Sequence, residues 1–258
     1  MKQTERFLSF LEVERKEPSL SYLNELIHAH QTKVKWETLT KFIDYEELSP
    51  ADSYLPSVED YIERVIEKRA GGTCYSLARG FRWLLEDLGF QVNYLLMAPG
   101  HMCLRVDLDQ PYYVDVGYSA PLFKAYPLHQ SFTVHAAAET FNYTVKSDRE
   151  VLVERTPGPT KTLKPEPVGW NEMTKTILKT HDWEDGFAFQ TLKLFGYIDG
   201  VAISLRNNEL RQFKESGIED QVLSRDEVMM WVKKFGLDTG LYESAVEIYK
   251  KRKGNEPY

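Results

Sequence analysis

The residues with chemistry to offer lie in two short stretches. The first, "RAGGTCYSLARGFRWLLEDLGF" (69–90), sets Cys74 behind a glycine pair at the expected start of a helix. The opening turn of a helix carries backbone N–H groups without partners and the positive end of the helix dipole, both of which favour a thiolate. Gly71 and Gly72 keep side chains away from the sulfur. A free cysteine is also commonly a small buried hydrophobe, so this stretch alone leaves nucleophile and core thiol equally open.

The second stretch, "PGHMCLRVDLDQPYYVDVGY" (99–118), supplies the base and the orienting group that a nucleophilic cysteine needs. Side chains alternate along a strand, so His101, Cys103 and Arg105 share one face, as Tyr113, Asp115 and Gly117 do on the return strand. An odd-length loop at 108–110 pairs 107 with 111, 105 with 113 and 103 with 115. Asp115 then stands diagonal to His101, about 7–8 Å away at the backbone and within side-chain reach. An aspartate between Val114 and Val116 is costly to bury alone, and a histidine N–H is the obvious partner. The order Cys74, His101, Asp115 fits a papain-like division of labour, which is defined by geometry and not by sequence position. Cys103, mid-strand and without a helix dipole, reads as structural. Cys74, His101 and Cys103 lack a C-x-x-C pair and a fourth ligand, so no metal is expected. His28, His30, His129, His135 and His181 have no nucleophile or carboxylate partner nearby in sequence.

Helical elements must position the cysteine. The stretch 18–34 carries Leu20, Leu23, Leu26 and Ile27 at helical spacing behind Pro18 and Ser19. Ser57, three residues before Asp60, opens a helix with Tyr61, Ile62, Val65 and Ile66 on one face. A third helix runs from about Cys74 to Leu88 on a stripe of Leu77, Phe81, Leu84, Leu85 and Leu88, with Gly89 as its stop. From Phe90 the pattern turns to short strands separated by "PG" and "DQP" turns, continuing through "SFTVHAAAETFNYTVKSD" and "REVLVERT". The proline-containing stretch 162–176 reads as loop. Further strands are expected in 187–213, with tight turns at Asp199-Gly200 and Asn207-Asn208. Ser224 and Glu227 form a capping box before closing helices.

Helices, then strands, then helices make an α+β protein: an N-terminal helical bundle, a central antiparallel β-sheet or barrel, and a smaller mixed C-terminal α/β region. The expected division is 1–89 with the nucleophile, 90–165 with the histidine and aspartate, and 166–258. With 42% hydrophobic residues, disorder is expected only at the ends, such as 250–258. The net charge of −7 and the lack of a basic stripe interleaved with aromatics argue against nucleic-acid binding. No apolar run approaches the ~18 residues of a membrane helix, and charges break the apolar segment of "MKQTERFLSFLEVERKEPS", so it is not expected to be a secretory signal. Two cysteines make no disulfide framework, and a cytoplasmic location is expected.

These segments resemble the arylamine N-acetyltransferases. "RAGGTC" is similar to their Arg-Gly-Gly-x-Cys hallmark, "GHMCLRV" to their histidine strand and "YYVDVGY" to their hydrophobic-Val-Asp-Val-Gly-aromatic segment. "LIHAHQTKVKWETLTKF" resembles their early H-x-x-x-(I/V)-P-(F)-E-N-L region. The resemblance implies a cysteine-proteinase-like core, with catalytic roles for Cys74, His101 and Asp115. It places acceptor-pocket aromatics at Trp36 and Tyr118, with Gly72, Thr73 and Gly117 completing the expected substrate-binding set. Departures fall at Ala70, in the continuation Tyr75-Ser76-Leu77-Ala78, in the short 27-residue gap from Cys74 to His101, and at Ser119.

What the resemblance implies is an acyl-CoA-dependent N-acyltransferase. Acetyl-CoA donates to Cys74, and a small-molecule amine then receives the acyl group by a ping-pong route. The same triad would also serve a transglutaminase- or peptidase-like hydrolase, or an amide synthase. A non-catalytic binding protein that retains the triad is the remaining alternative.

Overall fold

The computed structural model describes residues 2–258 and, among them, eight helices and thirteen strands. A helical third comes first: α1 (Gln3–Leu11), α2 (Leu20–Lys33), the two-residue strand β1 (Trp36–Glu37), α3 (Leu39–Glu47), α4 (Val58–Lys68) and α5 (Cys74–Asp87). Ser19 caps α2 by accepting from the Tyr22 N–H, and Ser57 caps α4 by accepting from the Asp60 N–H, as their sequence contexts predict. The expected stripe of α5 is buried in full, and Gly89 ends the helix at φ +92°. Burying each such leucine or phenylalanine contributes roughly 1.5–3 kcal/mol. Leu20, expected on the apolar face of α2, is exposed because it is the first residue of the helix.

Strands follow: β2 (Gln91–Ala98), β3 (His101–Asp107), β4 (Pro111–Val114), β5 (Tyr126–Pro127), β6 (Phe132–Ala136), β7 (Glu139–Ser147), β8 (Glu150–Thr156) and β9 (Thr160–Val168). They form one antiparallel sheet in the order β5-β4-β3-β2-β9-β8-β7-β6. The sheet curls until its two edges meet: the rings of Tyr126 on β5 and Phe132 on β6 stack at 3.9 Å. This makes the sheet a nearly closed barrel. Its interior holds Leu95, Met97, Cys103, Tyr113, Phe141 and Tyr143, while Val92, Tyr94, Leu104 and Val106 face outward onto the helices. Period-two alternation in β2 and β3 thus serves two cores at once.

The last part contains α6 (Trp170–Thr180), β10 (Lys193–Ile198), β11 (Val201–Arg206), β12 (Glu209–Lys214), β13 (Gly217–Val222), α7 (Arg225–Lys234) and α8 (Thr239–Lys253). Its antiparallel sheet runs β1-β10-β11-β12-β13, so β1 from the helical third forms one edge. Leu39 and Phe42 of α3 likewise belong to the apolar cluster built around Val232, Tyr242 and Tyr249. Asp44 of α3 accepts two hydrogen bonds from Arg64 of α4, which ties this cluster to the main helical core.

Three expectations are corrected. Residues 162–176 are β9 and α6, not loop. Pro165 and Pro167 fit because β8 pairs only as far as Leu163 and the β2 ladder jumps from Lys164 to Val168, so neither proline owes a ladder hydrogen bond. Residues 187–189 form a single helical turn before β10 begins. The tail at 250–258 completes α8 and then folds back, with Lys250 paired to Glu256 at 2.8 Å and Pro257 buried. The turn expectations at 199–200 and 207–208 match the structure: Asp199, Gly200 and Asn207 all have φ between 51° and 78°.

Candidate active site

Cys74 is the first residue of α5, and Thr73 before it is extended and makes no side-chain capping bond. The first-turn N–H groups of α5 are therefore not consumed by a cap. Gly72 sits at φ +95°, a conformation that glycine adopts without strain, and its carbonyl accepts from the Glu37 N–H at 3.0 Å. A Cβ on Gly71 would overlap the Lys35 carbonyl. The glycine pair thus lets the chain pass close to β1, a backbone reason beyond the open access read from the sequence.

His101 opens β3, and the β3–β4 hairpin has the register that parity predicts, with Asp107 opposite Pro111 and Arg105 opposite Tyr113. Ladder pairing stops at Leu104–Val114, so Asp115 lies just beyond the strand instead of opposite Cys103. From there its carboxylate reaches the histidine: His101 Nε2–H donates to Asp115 Oδ2 at 2.7 Å. Asp115 is only 1% exposed, and its lone pairs are well used. Tyr113 Oη donates to Oδ2 at 2.7 Å and the Gly117 N–H donates to Oδ1 at 2.9 Å. Gln31 of α2 donates to the Asp115 carbonyl at 2.9 Å, fixing the backbone as well. With Nε2 engaged, Nδ1 is the nitrogen left for the thiol.

The electrostatics favour a charged pair. Burial pushes the Cys74 thiol up, but the charge and hydrogen bond of His101, with a further hydrogen bond from the Met102 backbone, hold it below its ordinary value. Burial also works against the His101 imidazolium, yet Asp115 and Cys74 raise its pKa to about 10. Cys74 and His101 are therefore poised as thiolate and imidazolium. Cys103 behaves differently: it is buried inside the barrel, its thiol is pushed up by burial, and its Sγ reaches only the Leu95 carbonyl at 3.8 Å.

Of the remaining expected residues, Gly117 and Tyr118 adjoin this pair. A Cβ on Gly117 would lie 2.7 Å from the Cys74 Cα, so the aspartate loop rests directly on the first turn of α5. The Tyr118 ring stands edge-on to His101, with centroids 4.9 Å apart. Trp36 packs against the core cluster that Cys74 also joins and faces Phe195 and Tyr197 across β10. The structure also places residues here that were missed in the sequence. Tyr113 shares Asp115's parity and could have been found that way. Gln31 is a polar residue four positions after Ile27 on an apolar helix face, which was a readable signal. Tyr75 Oη donates to the Gly100 carbonyl at 2.7 Å, tying the cysteine helix to the turn before His101. Lys41 of α3 is buried against the Tyr75 and Phe189 rings, its pKa pushed down to about 7 by burial against the pull of the Cys74 charge. Nothing in its sequence context marks it.

A family model described as N-acetyltransferase matches residues 19–240. The curated arylamine N-acetyltransferase of Mycolicibacterium smegmatis is 27% identical over 256 residues, with 88% of each chain covered. Among solved structures, the arylamine N-acetyltransferase of Mycobacterium marinum superposes with a TM-score of 0.79 at 18% identity, covering 96% of this chain and 98% of that one. The same enzyme in complex with CoA gives 0.77 at 18% identity over the same shares. These likenesses carry the α+β architecture, and the family model spans both the cysteine helix and the histidine–aspartate hairpin. By that match the chain belongs to the arylamine N-acetyltransferase family.

Proposed function

We propose that this chain transfers an acyl group from acyl-CoA to an amine through a thioester on Cys74, with His101 as the proton carrier and Asp115 as the group that orients it. The observation that carries the assignment is the buried His101–Asp115 hydrogen bond beside a thiol at an uncapped helix start. The Cys74 thiolate attacks the thioester carbonyl, a C–S bond to the enzyme forms, and the CoA sulfur leaves with the proton from His101. An amine then attacks the acyl-enzyme, His101 takes its proton, and the thiolate is regenerated. Asp115 holds the imidazole through Nε2 in both half-reactions. Trp36, Gly72, Thr73, Gly117 and Tyr118 line the approach to the sulfur in this reading. The CoA complex of the M. marinum relative supports acyl-CoA as donor.

Intact-protein mass spectrometry after incubation with acetyl-CoA tests the assignment. One added acetyl group is expected, absent in Cys74→Ala and retained in Cys103→Ala. Rapid alkylation of Cys74 by iodoacetamide without any acyl adduct from short-chain acyl-CoAs would overturn it.

A further inference from the structure

A cleft of about 530 Å³ lies where α3, the turn at 50–54 and the segment following α6 meet. Its size suits a small molecule, and none of the residues assigned above to acyl transfer lines it. It is tied to the cysteine helix through Lys41, whose ammonium lies 3.4 Å from His181 Nδ1 and 5.9 Å from the centroid of the Tyr75 ring. Aromatic rings make its wall. Tyr54 stacks on Tyr45 at 5.0 Å and on His181 at 5.1 Å, and Trp183 lies 5.7 Å from Tyr45. Cations already stand over these rings. Arg252, paired with Glu46, is 5.0 Å from the Tyr45 centroid and 4.7 Å from that of Trp183, and Lys253 is 5.4 Å from Trp183.

His181 supplies the polar atom that defines the ligand. The residue is 4% exposed, and its Nδ1–H donates to the Ile177 carbonyl at 2.8 Å, which leaves Nε2 as the lone-pair nitrogen. Among the described residues Nε2 has no partner, yet it is not sealed from open space, and the open space that His181 adjoins is this cleft. Burial and the Lys41 charge lower the ring's pKa to about 3, so it is neutral and Nε2 accepts. Asp182 and Asp185 are exposed on the same lining, and among the described residues neither is in an ion pair. Asp182 spends Oδ1 on the N–H groups of Glu184 and Asp185 and keeps Oδ2 unbonded. Lys179 also lines the cleft, so two carboxylates stand there against one ammonium.

The geometry points to this cleft as a second small-molecule site, separate from the acyl-transfer centre, for an aromatic compound that carries a primary ammonium group. The ammonium donates to His181 Nε2 and to an aspartate carboxylate, and the ligand's ring packs against Tyr45, Tyr54 and Trp183. A carboxylate on the ligand meets the Nε2 lone pair and both aspartates, and is repelled. A neutral alcohol satisfies Nε2 but leaves the carboxylates without a cation. The inference stands apart from the acyltransferase reading and adds a binding site to it.

Isothermal titration of the full chain with phenethylammonium chloride at neutral pH tests the site. Saturable binding is expected, about tenfold or more tighter than that of 2-phenylethanol, with none detectable for 3-phenylpropionate. His181→Phe keeps a ring against Tyr54 and removes Nε2, and is expected to weaken phenethylammonium binding about tenfold or more. Asp185→Asn changes an exposed side chain and is expected to weaken it about threefold. Phenethylammonium binding that survives His181→Phe unchanged places the ligand elsewhere, the acyl-transfer cleft included, and overturns the site. If the histidine variant does not fold, Asp185→Asn decides alone, and unchanged binding there overturns the site. Equal or tighter binding of 2-phenylethanol or 3-phenylpropionate also overturns it. Acetyl loading of Cys74 is read separately by mass spectrometry, so the acyltransferase reading stands or falls independently of this titration.

Discussion

At the level of single residues, the site is a matter of who shares a proton with whom. Asp115 raises His101, and His101 lowers Cys74, so the carboxylate acts on the sulfur through the ring between them. The imidazolium, with its pKa near 10, persists through neutral pH and holds the thiol below its usual value, so the sulfur ionises at lower pH than an ordinary cysteine. Alkylation of wild-type Cys74 is therefore expected to set in at lower pH than alkylation of an ordinary thiol such as free cysteine. Asp115→Asn removes the charge that supports the imidazolium. The thiolate should then appear only as pH rises, and acyl transfer at neutral pH should drop by roughly 10²-fold or more. A flat alkylation profile in that variant would contradict the coupling. Tyr113 and Gly117, which also bond the carboxylate, explain how an aspartate can lie at 1% exposure without a cationic lysine or arginine beside it.

At the level of elements, the crossing of α4 and α5 decides where the cysteine helix points. Gly80 on α5 faces the Tyr61 ring of α4 so closely that any Cβ would run into it. Gly80→Ala is expected to cost about 1–3 kcal/mol by overpacking, read as a lower urea midpoint with unchanged slope. No shift of the midpoint would show that the two helices can part freely. Elements like these were readable where the signal was local: the caps at Ser19, Ser57 and Ser224, the α5 stripe, and the β3–β4 parity that brought Asp115 to His101. Others were hidden because the deciding partner is far away in sequence. β9 contains two prolines that propensity rejects, and only the bulge against β2 admits them. β1 is two residues long and exists because β10 pairs with it more than 150 positions later.

At the level of the whole molecule, stability should respond to acid through a histidine unconnected to catalysis. His30 is buried between Phe7 and Phe81 with neither ring nitrogen hydrogen-bonded, and burial lowers its pKa from 6.5 to about 3. The folded state therefore binds fewer protons there than the unfolded chain does. Its contribution is fully present above about pH 6.5 and is lost as pH falls toward 3, at up to about 1.4 kcal/mol per pH unit. His181, also lowered to about 3, acts in the same direction. Urea denaturation of His30→Leu and wild type is expected to show a shallower loss between pH 6 and pH 4 in the variant; coincident slopes would refute this. A different whole-molecule consequence follows from β1 and α3, which leave the helical third to complete the sheet and apolar cluster of the last third. The thiol, its histidine and its aspartate are all present by residue 115, yet a fragment carrying only them would expose Leu39 and Phe42. The catalytic centre is thus not a module that can be excised, transplanted or halved: the last third of the chain is as necessary to it as the segment that bears the sulfur.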